Sequence, residues 1–177
     1  MTWLRGTNGS GKTSLLRILA GLSAPADGEV TWAGRPIAQL RGEARQGTLY
    51  IGHANALKED LTLLESVAFL AVLTGLDEPV ARAHAALDLV GLAQRRDALV
   101  HTLSQGQRRR GALARLVLDE QPRTWILDEP FDALDAHSVR ILSAMIETPK
   151  DENVANPNIN TSFTTFATVL FFQYVSP

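Results

Sequence analysis

The 177-residue chain is 45 % hydrophobic, contains no cysteine, and carries a formal net charge of −2 with a pI near 6.1. That is about one domain's worth of chain with enough apolar content to close a core, which excludes a multidomain machine on this chain. The charge balance lacks the strongly basic footprint of a dedicated nucleic-acid binder, and the absence of cysteine removes disulfides, thiolate metal sites, a cysteine nucleophile and covalent haem attachment.

From the N-terminus, residues 1–5 have room for only a short strand and carry no basic-then-apolar secretory pattern. Gly6-Thr7-Asn8-Gly9-Ser10-Gly11-Lys12-Thr13 then matches G-x-x-x-x-G-K-[ST] at every position. Gly9 and Gly11 let successive N–H groups turn inward as a nest for phosphate oxygens, where a side chain would obstruct the approach. In such a loop Lys12 sets a positive charge against the β- and γ-phosphates, and the Thr13 hydroxyl is placed to ligate Mg2+. Leu15, Leu16, Ile18 and Leu19 recur at helical spacing up to Gly21, so residues 12–20 read as a helix aimed at the phosphates by its N-terminus. Pro25–Gly28 reads as a turn and Glu29–Ala33 as a strand before Gly34.

Thr62 and Glu65 form a capping-box pattern ahead of Leu64, Val67, Leu70, Ala71 and Leu73, which line a helical face. After a break at Gly75–Pro79, Val80, Ala83, His84, Leu87 and Val90 repeat at helical spacing until Gly91. Ser104 and Gln107 make a second capping box, opening a helix through Leu113, Leu116 and Val117. A helix tip with a Ser hydroxyl and an adjacent glycine is a second phosphate-binding end, which points to the nucleotide of another copy; a plain helix cap would carry the same residues. Arg108, Arg109 and Arg110 read as a solvated or salt-bridged helix face rather than a nucleic-acid patch.

Thr124-Trp125-Ile126-Leu127-Asp128-Glu129 is a short apolar run ending in two acids, the way a buried parallel strand delivers carboxylates to its C-terminal edge. Beside a phosphate loop, Asp128 would hold Mg2+ and Glu129 would orient the water that attacks the γ-phosphate. From Pro149 the composition turns to Asn, Thr and Phe, and every Arg lies at or before Arg140. Within this tail, Phe166–Val175 is apolar and β-prone, long enough for one buried strand and suited to filling a sheet edge. No run of about 18 apolar residues occurs anywhere, so any membrane role is expected to be peripheral.

From about Leu4 to about Glu147 these residues resemble an ABC-type ATPase, the nucleotide-binding domain of ATP-driven transporters. GTNGSGKT stands at that family's Walker A, LSQGQ at its LSGGQ signature, WILDEP at Walker B, and Ala133-Leu134-Asp135 at its D-loop. Within the family, TNGSGKTSLLRILAGL, LYIGHANALKEDLTLLESVAF and WILDEPFDALD are similar to the haem-exporter ATP-binding subunits of cytochrome c biogenesis. His53 occupies the place of the usual Q-loop glutamine, as that subgroup often has it.

The resemblance implies an α/β P-loop NTPase: a RecA-like core with a mostly parallel sheet over 1–56 and 119–148, a helical subdomain with the signature over 57–118, and an atypical tail over 149–177. It implies ATP held by Asn8, Gly9, Ser10, Gly11, Lys12, Thr13 and Ser14, Mg2+ at Thr13 and Asp128, and catalytic roles for Glu129 and His53. Ser104, Gln105, Gly106, Gln107 and Asp135 would act on ATP bound by a second copy, in a homodimer closed over two nucleotides. The implied partners are integral membrane transporter subunits, with the chain peripheral at the cytoplasmic face of the inner membrane and haem as the cargo delivered. Nucleic acid is not an implied partner, and His53, His84, His101 and His137 are read as surface or core residues rather than haem ligands.

Two of the family's parts have no counterpart in this sequence. Trp3 is too close to the phosphate loop to be the aromatic that stacks on adenine, and His137 is too near Asp135 to be the histidine that contacts the γ-phosphate. The late start and altered tail motivate the expectation of a shortened ATPase. Binding without hydrolysis, or a soluble ABC ATPase outside transport, therefore stay open.

Overall fold

The structure is a computed structural model that describes residues 2–7, 9–32, 34–39, 48–118, 124–147 and 169–172. Contacts divide the chain into two compact units, Met1–His53 with Gln121–Pro130 and Pro149–Pro177, and Ala54–Glu120 with Phe131–Thr148. The segment 131–148, expected with the core, thus groups with the helical unit.

In the first unit the strands β1 (Thr2–Leu4), β4 (Thr48–Ile51), β5 (Thr124–Asp128) and β6 (Val169–Phe172) form a sheet in the order β1-β6-β5-β4. Every pairing is parallel, with Ile51 opposite Leu127, Asp128 opposite Phe172, and Leu4 opposite Phe172. All residues of β5 are buried, as an inner parallel strand covered on both faces requires, which is why its sequence runs apolar instead of alternating. Helix α1 (Lys12–Leu19) packs Leu16 and Ala20 onto Ile126, with Leu4, Leu19 and Tyr50 around them. It ends as the spacing predicts: Gly21 takes φ +68°, its N–H reaches the Ile18 carbonyl, and Leu22 N–H reaches the Arg17 carbonyl.

Two expectations for this unit are corrected. The strand expected over 29–33 is shorter, with β2 (Thr31–Trp32) pairing antiparallel to β3 (Arg35–Pro36) in a separate two-stranded sheet. The apolar stretch of the tail does not fill an edge: β6 lies inside the sheet between β1 and β5, hydrogen-bonded on both sides. A four-residue Val-Leu-Phe-Phe segment suits that place, because an inner parallel strand needs no polar face. The rest of the tail lies outside the described residues.

The second unit is built from α2 (Leu63–Leu73), α3 (Pro79–Leu89), α4 (Gln105–Leu113), α5 (Arg115–Leu118) and α6 (Ala136–Glu147). Its core joins Leu63, Val67, Ala71, Leu87, Leu92 and Leu103. Both capping boxes form: Glu65 N–H donates to Thr62 Oγ1 at 3.2 Å while Thr62 N–H donates to Glu65 Oε2 at 2.8 Å, and Gln107 with Ser104 repeats the exchange at 3.2 and 3.0 Å. Gly111 allows α4 to close on α2, since a Cβ there would lie 2.8 Å from Leu63 Cδ1.

The expected helical faces need adjustment. The buried stripe of α2 is Leu63, Val67 and Ala71, so Leu73, two positions or roughly 200° further round, is 67 % exposed. On α3 the stripe starts at Ala83 and leaves Val80 exposed. The Arg triplet is not uniformly solvated: Arg109 is buried, whereas Arg108 reaches Glu59 at 3.8 Å and Arg110 donates to the Gly91 carbonyl at 3.4 Å. Among the described residues no helix is long and apolar enough to cross a membrane.

Candidate nucleotide site

The loop between β1 and α1 has the backbone its motif demands. Gly9 and Gly11 take φ of +78° and +84°, a region costly to residues with a Cβ. A Cβ at either glycine would meet open space within the chain, so here the requirement is conformational rather than steric. Lys12 is buried, and its Nζ donates to the Thr7 carbonyl and to Ser10 Oγ, the latter at 3.3 Å. The ammonium is thereby held inside the loop, while Gly9, Ser10, Thr13 and Ser14 are exposed. Asn8 lies outside the described residues.

The second group sits where β4 and β5 end. Asp128, the last residue of β5, is 1 % exposed, and Tyr50 of neighbouring β4 brings its hydroxyl 3.5 Å from Asp128 Oδ2. Glu129 follows in a left-handed conformation, φ +50°, which is strained for a residue with a side chain. His53, just past β4, places Nδ1 3.5 Å from Glu129 Oε2, with the imidazole 67 % and the carboxylate 29 % exposed. Parallel pairing of β4 with β5 puts these chain ends side by side, so His53 and Glu129 meet although far apart in sequence.

Tyr50 is the residue that sequence reasoning passed over. Its signal was local: Gly52 follows two positions later, and a Cβ there would lie 3.0 Å from the Tyr50 ring and hydroxyl. Glycine at that point lets the phenol fold back toward Asp128.

The remaining predicted residues belong to the helical unit. Ser104 and Gln105 are exposed at the tip of α4, and Ser104 is the N-cap. Asp135 caps α6, its Oδ1 accepting from Ser138 N–H at 2.7 Å. The Ser138 backbone N–H, first among the causes, holds the Asp135 carboxyl below its ordinary value, with smaller help from the nearby Arg110. The structure thus gathers the phosphate loop, Asp128, Glu129 and His53 in one unit and the signature residues with Asp135 in the other.

Residues 1–132 match the family model described as ABC transporter. The cytochrome c biogenesis ATP-binding export protein CcmA of Albidiferax ferrireducens is 46 % identical over 144 residues, 81 % of this chain and 68 % of that protein. Its counterpart in Dechloromonas aromatica is 50 % identical over 145 residues, 81 % of this chain and 70 % of that one. Among solved structures, the ATP-binding subunit of an ABC transporter superposes with a TM-score of 0.74 at 25 % identity, over 98 % of this chain and 67 % of that chain. A dimeric ATP-binding cassette in a post-hydrolysis state, bound to ADP and Pi, shares the fold with a TM-score of 0.75 at 24 % identity, over 97 % and 73 % of the two chains. Phosphate loop, paired acids on an inner parallel strand and signature helix occur together in one chain that belongs to the ABC transporter family of ATPases, with CcmA proteins among its relatives.

Proposed function

We propose that this chain binds and hydrolyses Mg-ATP as the motor subunit of a membrane transporter and that it powers haem export or delivery in cytochrome c biogenesis. The observation that carries the reading is Glu129, held beside His53 at the C-terminal end of β5, the strand that also presents Asp128, in the unit that contains the phosphate loop. The relatives named for cytochrome c biogenesis support the biological setting.

In this reading the loop N–H groups of residues 9–14 and the Lys12 ammonium cradle the β- and γ-phosphates, with Lys12 turning from Thr7 and Ser10 toward them. Thr13 and Asp128 offer a hydroxyl and a carboxylate, the hard oxygen donors that suit Mg2+. When bound, that ion neutralises charge on the phosphate oxygens. Glu129 accepts a proton from the attacking water, and His53 orients the Glu129 carboxylate. Tyr50 steadies Asp128.

Ser104, Gln105, Gly106, Gln107 and Asp135 serve the nucleotide held by a second copy. ATP then closes a homodimer, and hydrolysis restores charge repulsion that opens it, which drives integral membrane subunits from the cytoplasmic face of the membrane. The ATPase itself supplies no haem ligand.

Calorimetry of the full chain with Mg-ATP, against Lys12→Ala, tests the first step. Heat from the wild type that the variant lacks is expected; equal traces overturn the reading. Phosphate release separates an enzyme from a nucleotide-binding chain without turnover. Co-purification with integral membrane subunits tests the transport role.

A further inference from the structure

Gly106, the one glycine of the signature, does not have a left-handed backbone, so conformation does not explain a glycine there. Space does. A Cβ on Gly106 would meet the Ala133 carbonyl oxygen at 2.7 Å, about 0.7 Å inside ordinary van der Waals contact. The opposing atom is backbone and cannot swing aside as a side-chain end would. Ala133 is itself constrained, with φ +58°, a left-handed conformation that residues with a Cβ rarely adopt.

The turn carrying that carbonyl is pinned on both sides. Leu134 N–H reaches the Phe131 carbonyl at 3.3 Å, and two residues after Ala133 the Asp135 carboxylate caps α6. On the other side, Gly106 lies in the first turn of α4, whose tip is Ser104. Leu113 of α4 and Leu134, Ile141 and Leu142 of the turn and α6 line one small pocket, so the two segments share packing beyond the single contact.

We propose that Gly106 is a positioning residue: its missing side chain seats the tip of α4 on the Ala133 carbonyl, so that Ser104 and Asp135 are presented as one rigid pair to the nucleotide of the second copy. This rests on the function proposed above and adds to it a fixed coupling within each chain. A side chain at Gly106 would displace Ser104 relative to Asp135.

The test compares the full-length wild type, Gly106→Ala, Ala133→Gly and the double variant in ATP turnover and thermal midpoint. Gly106→Ala is expected to lose about 100-fold in kcat, the scale of an ångström-size misplacement, with KM for ATP within about twofold. Ala133→Gly frees the carbonyl to tilt away, so the double variant recovers about tenfold, and the midpoints of the four proteins are non-additive in the same sense. A Gly106 that merely touched the partner's nucleotide would not be rescued from Ala133.

No recovery in the double variant, or additive midpoints, overturns the proposal. If Gly106→Ala alone is insoluble, a soluble double variant is the rescue, and an equally insoluble one counts against it. A wild-type chain that does not turn over ATP overturns the functional reading and, with it, what the positioning by Gly106 would serve. The midpoint cycle, which needs no turnover, tells that outcome from a failed contact.

Discussion

Replacing Glu129 by Gln removes one charge and one proton acceptor and leaves the side chain's size, and with it the left-handed backbone at φ +50°, in place. Loss of a general base lowers a rate by about 10²–10⁴-fold, which is roughly 3–5 kcal/mol of barrier at 1.36 kcal/mol per tenfold. His53 contacts the same carboxylate, but at 3.5 Å and with the imidazole 67 % exposed. A pair that open to water is worth up to about 1 kcal/mol, so His53→Ala is expected to cost only about fivefold. If His53 acts through Glu129, the double variant is no slower than Glu129→Gln alone, because the histidine has nothing left to orient. Steady-state phosphate release with saturating Mg-ATP measures all three, and a thermal midpoint within about 2 °C of wild type certifies the fold. Turnover by Glu129→Gln within about twofold of wild type would refute the assignment of the base. A His53→Ala defect as deep as that of Glu129→Gln would refute the division of roles.

Thr62→Ala and Ser104→Ala should each cost about 1 kcal/mol of stability in urea, since each removes a hydroxyl that accepts from a first-turn N–H. Only Ser104→Ala should also lower turnover; equal turnover in the two variants would separate Ser104 from the nucleotide. Leu87→Ala empties a fully buried position in the helical core and should cost about 2–5 kcal/mol by urea midpoint, and a loss below about 1 kcal/mol would contradict the packing described. Glu65 and Asp135 are both held below their ordinary values of 4.5 and 3.8 by hydrogen bonds to their carboxylates, first from the Thr62 and Ser138 backbones respectively. A depressed folded-state value stabilises above the unfolded one and is lost as pH falls through the folded one, so their contribution disappears below the 3.8–4.5 region. Glu65→Gln combined with Asp135→Asn should therefore flatten the acid side of the stability profile; an unchanged slope would remove both groups from it.

What the sequence made legible was chemistry with a fixed local grammar. The phosphate loop, its helix and the Gly21 cap are contiguous, so spacing alone located them, and both capping boxes need only residues three positions apart. The pairing of His53 with Glu129 could be inferred only through a resemblance, because it depends on β4 lying beside β5 in register. The place of β6 was beyond reach for the same reason: Val169–Phe172 is simply apolar, and nothing local in four apolar residues distinguishes an edge strand from one inserted between β1 and β5. Helical faces erred where periodicity was read without a partner. Leu73 fits an apolar pattern but lies round the helix from the stripe that faces α3, and only tertiary packing decides which stripe is buried.

Glu129 marks a different kind of limit. Local rules place the residue before Pro130 in an extended conformation, because the proline ring crowds its neighbour's backbone. Its observed φ of +50° defies that preference in a residue with no glycine-like freedom, at a cost on the order of 1–3 kcal/mol. Such a backbone persists only where its surroundings over-determine it, and here β5 is buried at every residue up to Asp128, and Pro130 is buried too. The fold therefore spends stability to turn one carboxylate out of the strand line toward His53. Glu78, before Pro79, takes the same left-handed backbone at φ +51° at the N-cap of α3, so the conformation alone does not mark a base; what sets Glu129 apart is that its carboxylate meets His53 at the end of the buried strand.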